Sequence, residues 1–165
     1  MEKYIKISIG IFFALAASRF VPHPPNFTSL IALSFYVPVI LGINFIPVII
    51  LSFLITDIFL GFHNTLFFTW GCVAIIGYIS YYFKHNAIKR LIGVTVGALL
   101  FFIITNFGVW FLGDMYAKNV GGFLLCYYFA IPFFFNSLVS TIIFSLVIEG
   151  LLKTTFSKNL RKSFK

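Results

Sequence analysis

The chain has 165 residues, of which 61% are hydrophobic, 21% are aromatic and only 10% are charged. A water-soluble domain of this size needs far more polar surface, so the composition excludes a soluble fold. Its apolar runs lie near the length of about 20 residues that crosses a bilayer core, which predicts an integral membrane protein. The sequence lacks the alternation of membrane β-strands, and we therefore expect an all-α protein.

Breaks at Pro, Gly, Asn and charged residues divide the chain into six transmembrane helices in a single domain. They are predicted at about residues 4–20, 28–41, 44–62, 65–83, 91–112 and 131–152, before a basic cytoplasmic tail at 153–165. The second helix is short and carries Pro38, so an alternative is a tight or re-entrant hairpin with the third. The apolar stretch 121–130 ends near Pro132, which predicts a separate half-helix at membrane depth.

The net charge of +8 comes from Lys and Arg at the segment ends and in the tail. These residues form no basic face, so they indicate membrane topology and contact with anionic lipid rather than a nucleic-acid partner. With a cytoplasmic N-terminus, ten of the twelve lie inside and only Arg19 and Lys118 lie outside. The bias predicts that both termini are cytoplasmic. An alternative, that helix one is a cleaved signal ending near Ala16, gives the same charge pattern.

The most informative stretch is the first outer loop, Arg-Phe-Val-Pro-His-Pro-Pro-Asn-Phe-Thr at 19–28. Three prolines make it stiff, and Thr28 or Ser29 is expected to cap the second helix. His23 and Asn26 serve no evident packing purpose between prolines, which favours a binding loop. The alternative is that the prolines only end one helix and start the next.

Asp57 lies within an apolar run, where an unpaired acid costs about 3 kcal/mol. Arg19 lies at a similar depth on helix one and is its predicted partner. Two interpretations stay open: the ion pair joins helices one and three, or Asp57 contacts a ligand directly.

Other candidate residues gather at the same helix ends. Asn106 and Asn136 fall inside predicted helices, where an amide either joins helices or recognises a ligand. Trp110 fits an interfacial aromatic belt or the wall of a pocket. His23 and His63 lack the spacing of metal ligands, and no catalytic spacing or cofactor motif is present, so we expect neither a metal site nor an enzyme.

Small residues form two stripes that permit close helix contact. Gly93 and Gly97 make a G-x-x-x-G step for which packing inside the protein is preferred. On helix one, Gly10, Ala14 and Ala17 are candidates for docking a partner protein, with internal packing as the alternative.

Four stretches, 19–28, 57–63, 105–110 and 130–136, resemble the signatures of an uncharacterised family of bacterial membrane proteins. That family is in turn similar to the substrate-binding S components of energy-coupling-factor vitamin transporters. The resemblance implies a six-helix bundle in the bacterial cytoplasmic membrane that encloses a vitamin-like molecule at its outer end and docks a coupling subunit through helix one. The S-component motif Ala-x-x-x-Ala is replaced here by Gly10-x-x-x-Ala14.

We therefore expect a substrate-binding membrane subunit that captures a small molecule at its outer face. Since the chain has no phosphate-binding loop, energy would come from a separate ATPase module. The alternative is a structural or scaffold subunit without a ligand. The expected ligand-binding residues are Arg19, His23, Asn26, Thr28, Asp57, His63, Asn106, Trp110 and Asn136.

Overall fold

The computed structural model describes the backbone of residues 2–163 and the side chains of residue 2 and residues 4–154. Within that range the fold is all-helical, as predicted. Short 3-10 helices cover Ile43–Phe45 and Ser80–Phe83, and the six α-helices are α1 (Glu2–Phe20), α2 (Leu30–Leu41), α3 (Ile46–Leu60), α4 (Leu66–Ile79), α5 (Ala87–Leu112) and α6 (Val120–Ser163). The predicted tail at 153–165 begins inside α6, and its side chains beyond Thr154 lie outside the described residues.

Four segments of the described chain are long and apolar enough to cross a membrane. They are Ile43–Leu60, Leu66–Phe83, Ala87–Leu112 and Val120–Thr154. The helix α2 is apolar but has only 12 residues, so it is about 18 Å long where a bilayer core is about 30 Å thick. These lengths and compositions indicate a membrane protein.

The short helix α2 lies at the centre of the bundle and contacts each of the other five helices. Around it the neighbouring helices follow the order α1, α3, α4, α5 and α6. A helix that is apolar on all sides belongs in an interior, and the side chains of Phe35 and Tyr36 are fully buried. The first residues of α2, Leu30 and Ile31, are also buried, so α2 begins inside the bundle.

The turn from α2 to α3 is tight, and Gly42 takes a φ of 99° there. The prediction of a half-helix before Pro132 is wrong, because α6 continues through that residue. A proline removes one backbone hydrogen bond, and in a membrane helix the neighbouring groups can compensate for it. Ending the helix there would instead expose several backbone groups to hydrocarbon.

An ion pair joins α5 and α6 near the start of α5. Arg90 binds Glu149 through two contacts, Nε to Oε1 at 2.6 Å and Nη2 to Oε2 at 2.7 Å. The Tyr36 hydroxyl of α2 donates to the same carboxylate over 2.9 Å. The charged Glu149 is thereby satisfied inside the bundle, and three helices are held together at what we call the Arg90 end.

The two small-residue stripes differ in their surroundings. A Cβ added at Gly93 would lie 2.5 Å from Cγ of Phe83 and 2.7 Å from Cε2 of Phe35, whereas a Cβ at Gly10 would meet nothing within 4 Å. The helix-five stripe therefore serves packing inside the protein, in agreement with the preferred interpretation.

These contacts predict opposite effects for the same substitution at the two glycines. Gly93→Ala overpacks the contact with Phe83 and is expected to destabilise the fold by about 1–3 kcal/mol. The control Gly10→Ala introduces no clash and should leave stability unchanged or slightly raised, because alanine favours a helix by about 0.5–1 kcal/mol. Thermal unfolding of the detergent-solubilised protein measures both, and equal midpoints for the two variants would contradict the packing shown here.

Candidate functional site

A cavity of about 590 Å³ lies at one end of the bundle, where α1, α3 and α5 end and α2, α4 and α6 begin. We call this the cavity end. The volume lies within the range of about 300–1,000 Å³ that is typical of small-molecule sites. Its walls combine aromatic rings with a limited set of polar side chains: Arg19, His23, Asn26, Thr28, His63, Thr65, Thr69, Thr105, Asn106, Tyr116 and Ser137.

Two helix faces form the long walls of the cavity. On α5 the lining residues follow the spacing of one helical face and are Phe101, Phe102, Thr105, Asn106 and Val109,. On α6 the lining residues have the same period and are Cys126, Phe129, Ala130, Phe133, Phe134 and Ser137. At 1.5 Å per residue these faces reach about 12 Å and 16 Å into the bundle, so the cavity extends to about half the depth of a bilayer core.

The loop at 19–28, which we call the proline loop, is held in place by contacts with the first helix, α1, and the last helix, α6. Asn136 of α6 donates its Nδ2 to the carbonyl of Pro25 over 3.0 Å. The hydroxyls of Ser18 on α1 and Ser29 lie 2.7 Å apart, and the Ser29 amide donates to Ser18 Oγ. Between these contacts Asn26 takes a φ of 62°, a left-handed conformation that asparagine tolerates better than most residues.

The expected cap of α2 differs from the one observed. Ser29 occupies the N-cap position, but its side chain makes no capping hydrogen bond. Its hydroxyl instead contacts Ser18 and the carbonyl of Ala14. Thr28 makes a long contact of 3.5 Å from Oγ1 to the amide of Leu30. Ser29 thus joins the loop to α1 rather than ending the helix.

The two histidines at the cavity end are each fixed by a local contact. Nδ1 of His23 lies 2.7 Å from the carbonyl of Pro24, and because a carbonyl only accepts, this nitrogen carries the proton. In the neutral ring Nε2 is then an acceptor. Nδ1 of His63 lies 2.9 Å from Thr65 Oγ1. Both imidazoles are therefore oriented by contacts within the protein.

The predicted ion pair between Arg19 and Asp57 is confirmed. Nη1 of Arg19 lies 2.7 Å from Oδ1 of Asp57, whose side chain is fully buried. The other carboxylate oxygen accepts a hydrogen bond from Nε1 of Trp70 over 3.0 Å. Arg19 also donates to the hydroxyl of Thr56 and stacks its guanidinium over the ring of Phe53. The pair joins α1, α3 and α4 directly beneath the cavity.

A protein-family model matches residues 1–162 of this chain. The chain belongs to the family of unknown function DUF6580. No curated protein and no solved structure matches it. The expectation of an uncharacterised family is therefore confirmed, while the function of this DUF6580 protein has to be argued from its site.

Six of the nine expected ligand-binding residues lie in the cavity wall. They are Arg19, His23, Asn26, Thr28, His63 and Asn106. Asp57, Trp110 and Asn136 do not line it: Asp57 lies behind Arg19, and Trp110 donates to the carbonyl of Ala117 in the next loop. Trp110 follows the lining residue Val109, and Asn136 precedes the lining residue Ser137. Because one residue turns a helix by about 100°, neither side chain faces the cavity.

Asn106 makes no described side-chain contact to a neighbouring helix. Its Nδ2 donates to the carbonyl of Phe102, four residues earlier in α5. Asn136, in contrast, joins α6 to the proline loop. Thr69, Thr105 and Ser137 also line the cavity and were not predicted from the sequence. Helical spacing from Asn106 could have found Thr105, which lies on the same face of α5.

The three expected docking residues of α1 face away from the bundle. Gly10, Ala14 and Ala17 are all exposed, whereas Ile11 and Leu15 of the same helix are buried. Among the described residues no group of three or more His, Cys, Asp or Glu side chains is close enough to hold a metal ion. The cavity wall presents oriented polar groups and aromatic rings, the combination typical of small-molecule sites.

Removing the acid of the Arg19 pair should destabilise this DUF6580 protein strongly. Asp57→Ala leaves a charged guanidinium without its partner, and breaking a buried pair in this way costs about 3–5 kcal/mol. The matched control is Glu2→Ala, which breaks the exposed pair with Lys6 and should cost less than about 0.5 kcal/mol. Unfolding in detergent measures both, and a small effect of Asp57→Ala would show that the pair is not needed for the fold.

Proposed function

We propose that this DUF6580 protein is a membrane-embedded substrate-binding subunit that captures a small amphipathic molecule in the cavity. The observation that carries the proposal is the cavity itself, which has the volume of a small-molecule site and oriented polar groups,. The cavity is lined by six phenylalanines and four threonines, which suit an apolar or aromatic body: Phe53, Phe101, Phe102, Phe129, Phe133, Phe134, Thr28, Thr65, Thr69 and Thr105. A vitamin-like molecule combines these features.

The proposal places the cavity end on the outer face of a bacterial cytoplasmic membrane, with both termini in the cytoplasm. Its support is the distribution of charge, because Lys84, Lys89 and Arg90 lie at the opposite end from Arg19 and Lys118,. A ligand from outside the cell would then reach the cavity directly.

Uptake needs energy that this chain has no nucleotide-binding motif to supply. We propose that a separate ATPase module provides it through a transmembrane coupling subunit, as in the S components that the sequence resembles. The exposed stripe of Gly10, Ala14 and Ala17 on α1 is compatible with such a subunit,.

A scaffold subunit without a ligand is the second candidate. It is favoured by the contacts of Asp57, Trp110 and Asn136, which join parts of this chain to one another. It does not explain why Arg19, the histidines and Asn106 surround a space of about 590 Å³, and for this reason we prefer the binding subunit.

Blocking the cavity should remove the captured molecule without disturbing the fold. Thr105 lines the cavity, and its hydroxyl bonds only to the carbonyl of Phe101 in its own helix. Thr105→Phe is expected to reduce the amount of small molecule that co-purifies in detergent by about tenfold or more, because the larger ring occupies the site. Mass spectrometry of the extracted ligand measures the amount per mole of protein, and thermal shifts with a vitamin panel test for rebinding.

The control for this substitution is Thr95→Phe on the same helix. Thr95 is exposed outside the cavity, and its hydroxyl bonds to the carbonyl of Leu91 four residues earlier, as that of Thr105 bonds to Phe101. It should retain the ligand. Equal recovery from both variants, or no ligand from the unmodified protein and no shift with any vitamin, would favour the scaffold.

The proposed orientation has its own test. Asn64 lies in the loop at the cavity end and His85 at the Arg90 end, and both are exposed. With Cys72 and Cys126 replaced by Ala, Asn64→Cys should react with a membrane-impermeant maleimide on intact cells, and His85→Cys only after permeabilisation. The reverse pattern would place the cavity on the cytoplasmic side.

A further inference from the structure

The contacts of Arg19 with the protein all use one end of its guanidinium. Nη1 donates to the carbonyl of Phe53 over 3.3 Å and to the hydroxyl of Thr56, and it forms the ion pair with Asp57. One face of the group lies over the ring of Phe53, with Cζ 4.3 Å from the ring centroid. The guanidinium is therefore fixed in position and in plane.

The opposite edge of the same guanidinium, formed by Nε and Nη2, has no acceptor among the side chains and backbone groups of the described residues. Arginine carries five N–H donors in a rigid planar fork. The side chain is only 14% exposed, and it lines the cavity. Neither nitrogen is among the fully buried polar atoms without a partner, so both can be satisfied by a molecule in the cavity.

The protein does not offer a carboxylate at this edge. No Asp or Glu is among the residues that line the cavity in the described part of the chain. The carboxylate of Asp57 already contacts Nη1 of Arg19 and Nε1 of Trp70. An acceptor with two neighbouring oxygens matches the free edge, since Nε and Nη2 donate in parallel, and the two coplanar oxygens of a carboxylate fit this planar fork.

We propose that the Nε and Nη2 edge of Arg19 binds a carboxylate of the captured molecule. This inference rests on the proposed function and specifies the ligand as a small carboxylic acid with an apolar or aromatic body. Asp57 balances the charge of Arg19, so the carboxylate is selected by paired hydrogen bonds more than by net charge. Lysine, which lacks the planar fork, cannot replace arginine in this role.

The test is capture from a bacterial metabolite extract in two forms. One portion is untreated, and in the other the carboxylates are converted to methylamides with methylamine and a carbodiimide. Each is incubated with the detergent-purified, ligand-stripped protein, and the bound molecules are identified by mass spectrometry. The unmodified protein should enrich a carboxylic acid from the first portion and at least about tenfold less of its methylamide from the second.

Two variants and one control assign the effect to Arg19. R19K should lower capture of the acid at least about tenfold. R19Q/D57N, which removes both charges and so leaves no unpaired ion, should capture the acid and its methylamide equally weakly. The control R90Q/E149Q removes the ion pair at the Arg90 end and should capture the acid like the unmodified protein, and unfolding midpoints confirm that each variant is folded.

The outcomes separate this inference from the proposed function. Capture of a molecule without a carboxylate, such as an amine, a sugar or a phosphate ester, would overturn the inference and leave the binding subunit intact. The same follows if R19K or amidation has no effect. If the unmodified protein enriches nothing from either portion, both the inference and the proposed function fail.

Discussion

The fully buried carboxylate of Asp57 is stable inside an apolar helix because the Arg19 guanidinium lies 2.7 Å from it. The desolvation of each charge is costly, and only a close partner with further hydrogen bonds offsets it. Trp70 and Thr56 supply those bonds. The contact therefore fixes the ends of α1 and α3 and the start of α4 relative to one another, and with them the wall of the cavity that Arg19 and Phe53 line.

Polar contacts at the two ends of the bundle have different consequences. At the Arg90 end, the Nε and Nη2 edge of Arg90 binds Glu149, its Nη1 donates to the carbonyl of Lys84, and the Tyr36 hydroxyl donates to the same carboxylate. At the cavity end, Arg19 contacts the polar groups of the protein through Nη1 alone among the described residues. The first arrangement is complete in itself, whereas the second leaves oriented donors beside an open space. This difference distinguishes a structural ion pair from a candidate binding group.

Much of this architecture could be predicted from the sequence. The apolar runs specify the helices, and the similar depth of Arg19 and Asp57 identifies their pairing because few other charges lie there. The contact of Tyr36 with Glu149 spans 113 positions, and no local pattern indicates it. The predicted helix end before Pro132 was wrong, because unpaired backbone groups are costly in hydrocarbon and the local sequence does not show this cost,. Asn136 and Trp110 have the polarity of ligand-binding residues, but one residue of rotation turns them away from the cavity.

The central helix α2 is about 12 Å shorter than a bilayer core is thick, and the cavity reaches a similar distance along α5. The space thus lies next to the start of α2, where the lining faces of α5 and α6 continue past its first residue. Its inner end lies at the start of α2, because Leu30 and Ile31 line it, and the loop before α2 contacts the innermost lining residue of α6, Ser137. In a family built on this plan, a second helix that began one turn earlier or later would change the depth of the chamber while α5 and α6 kept their lengths, so that relatives would differ in the size of the space at this end of the bundle.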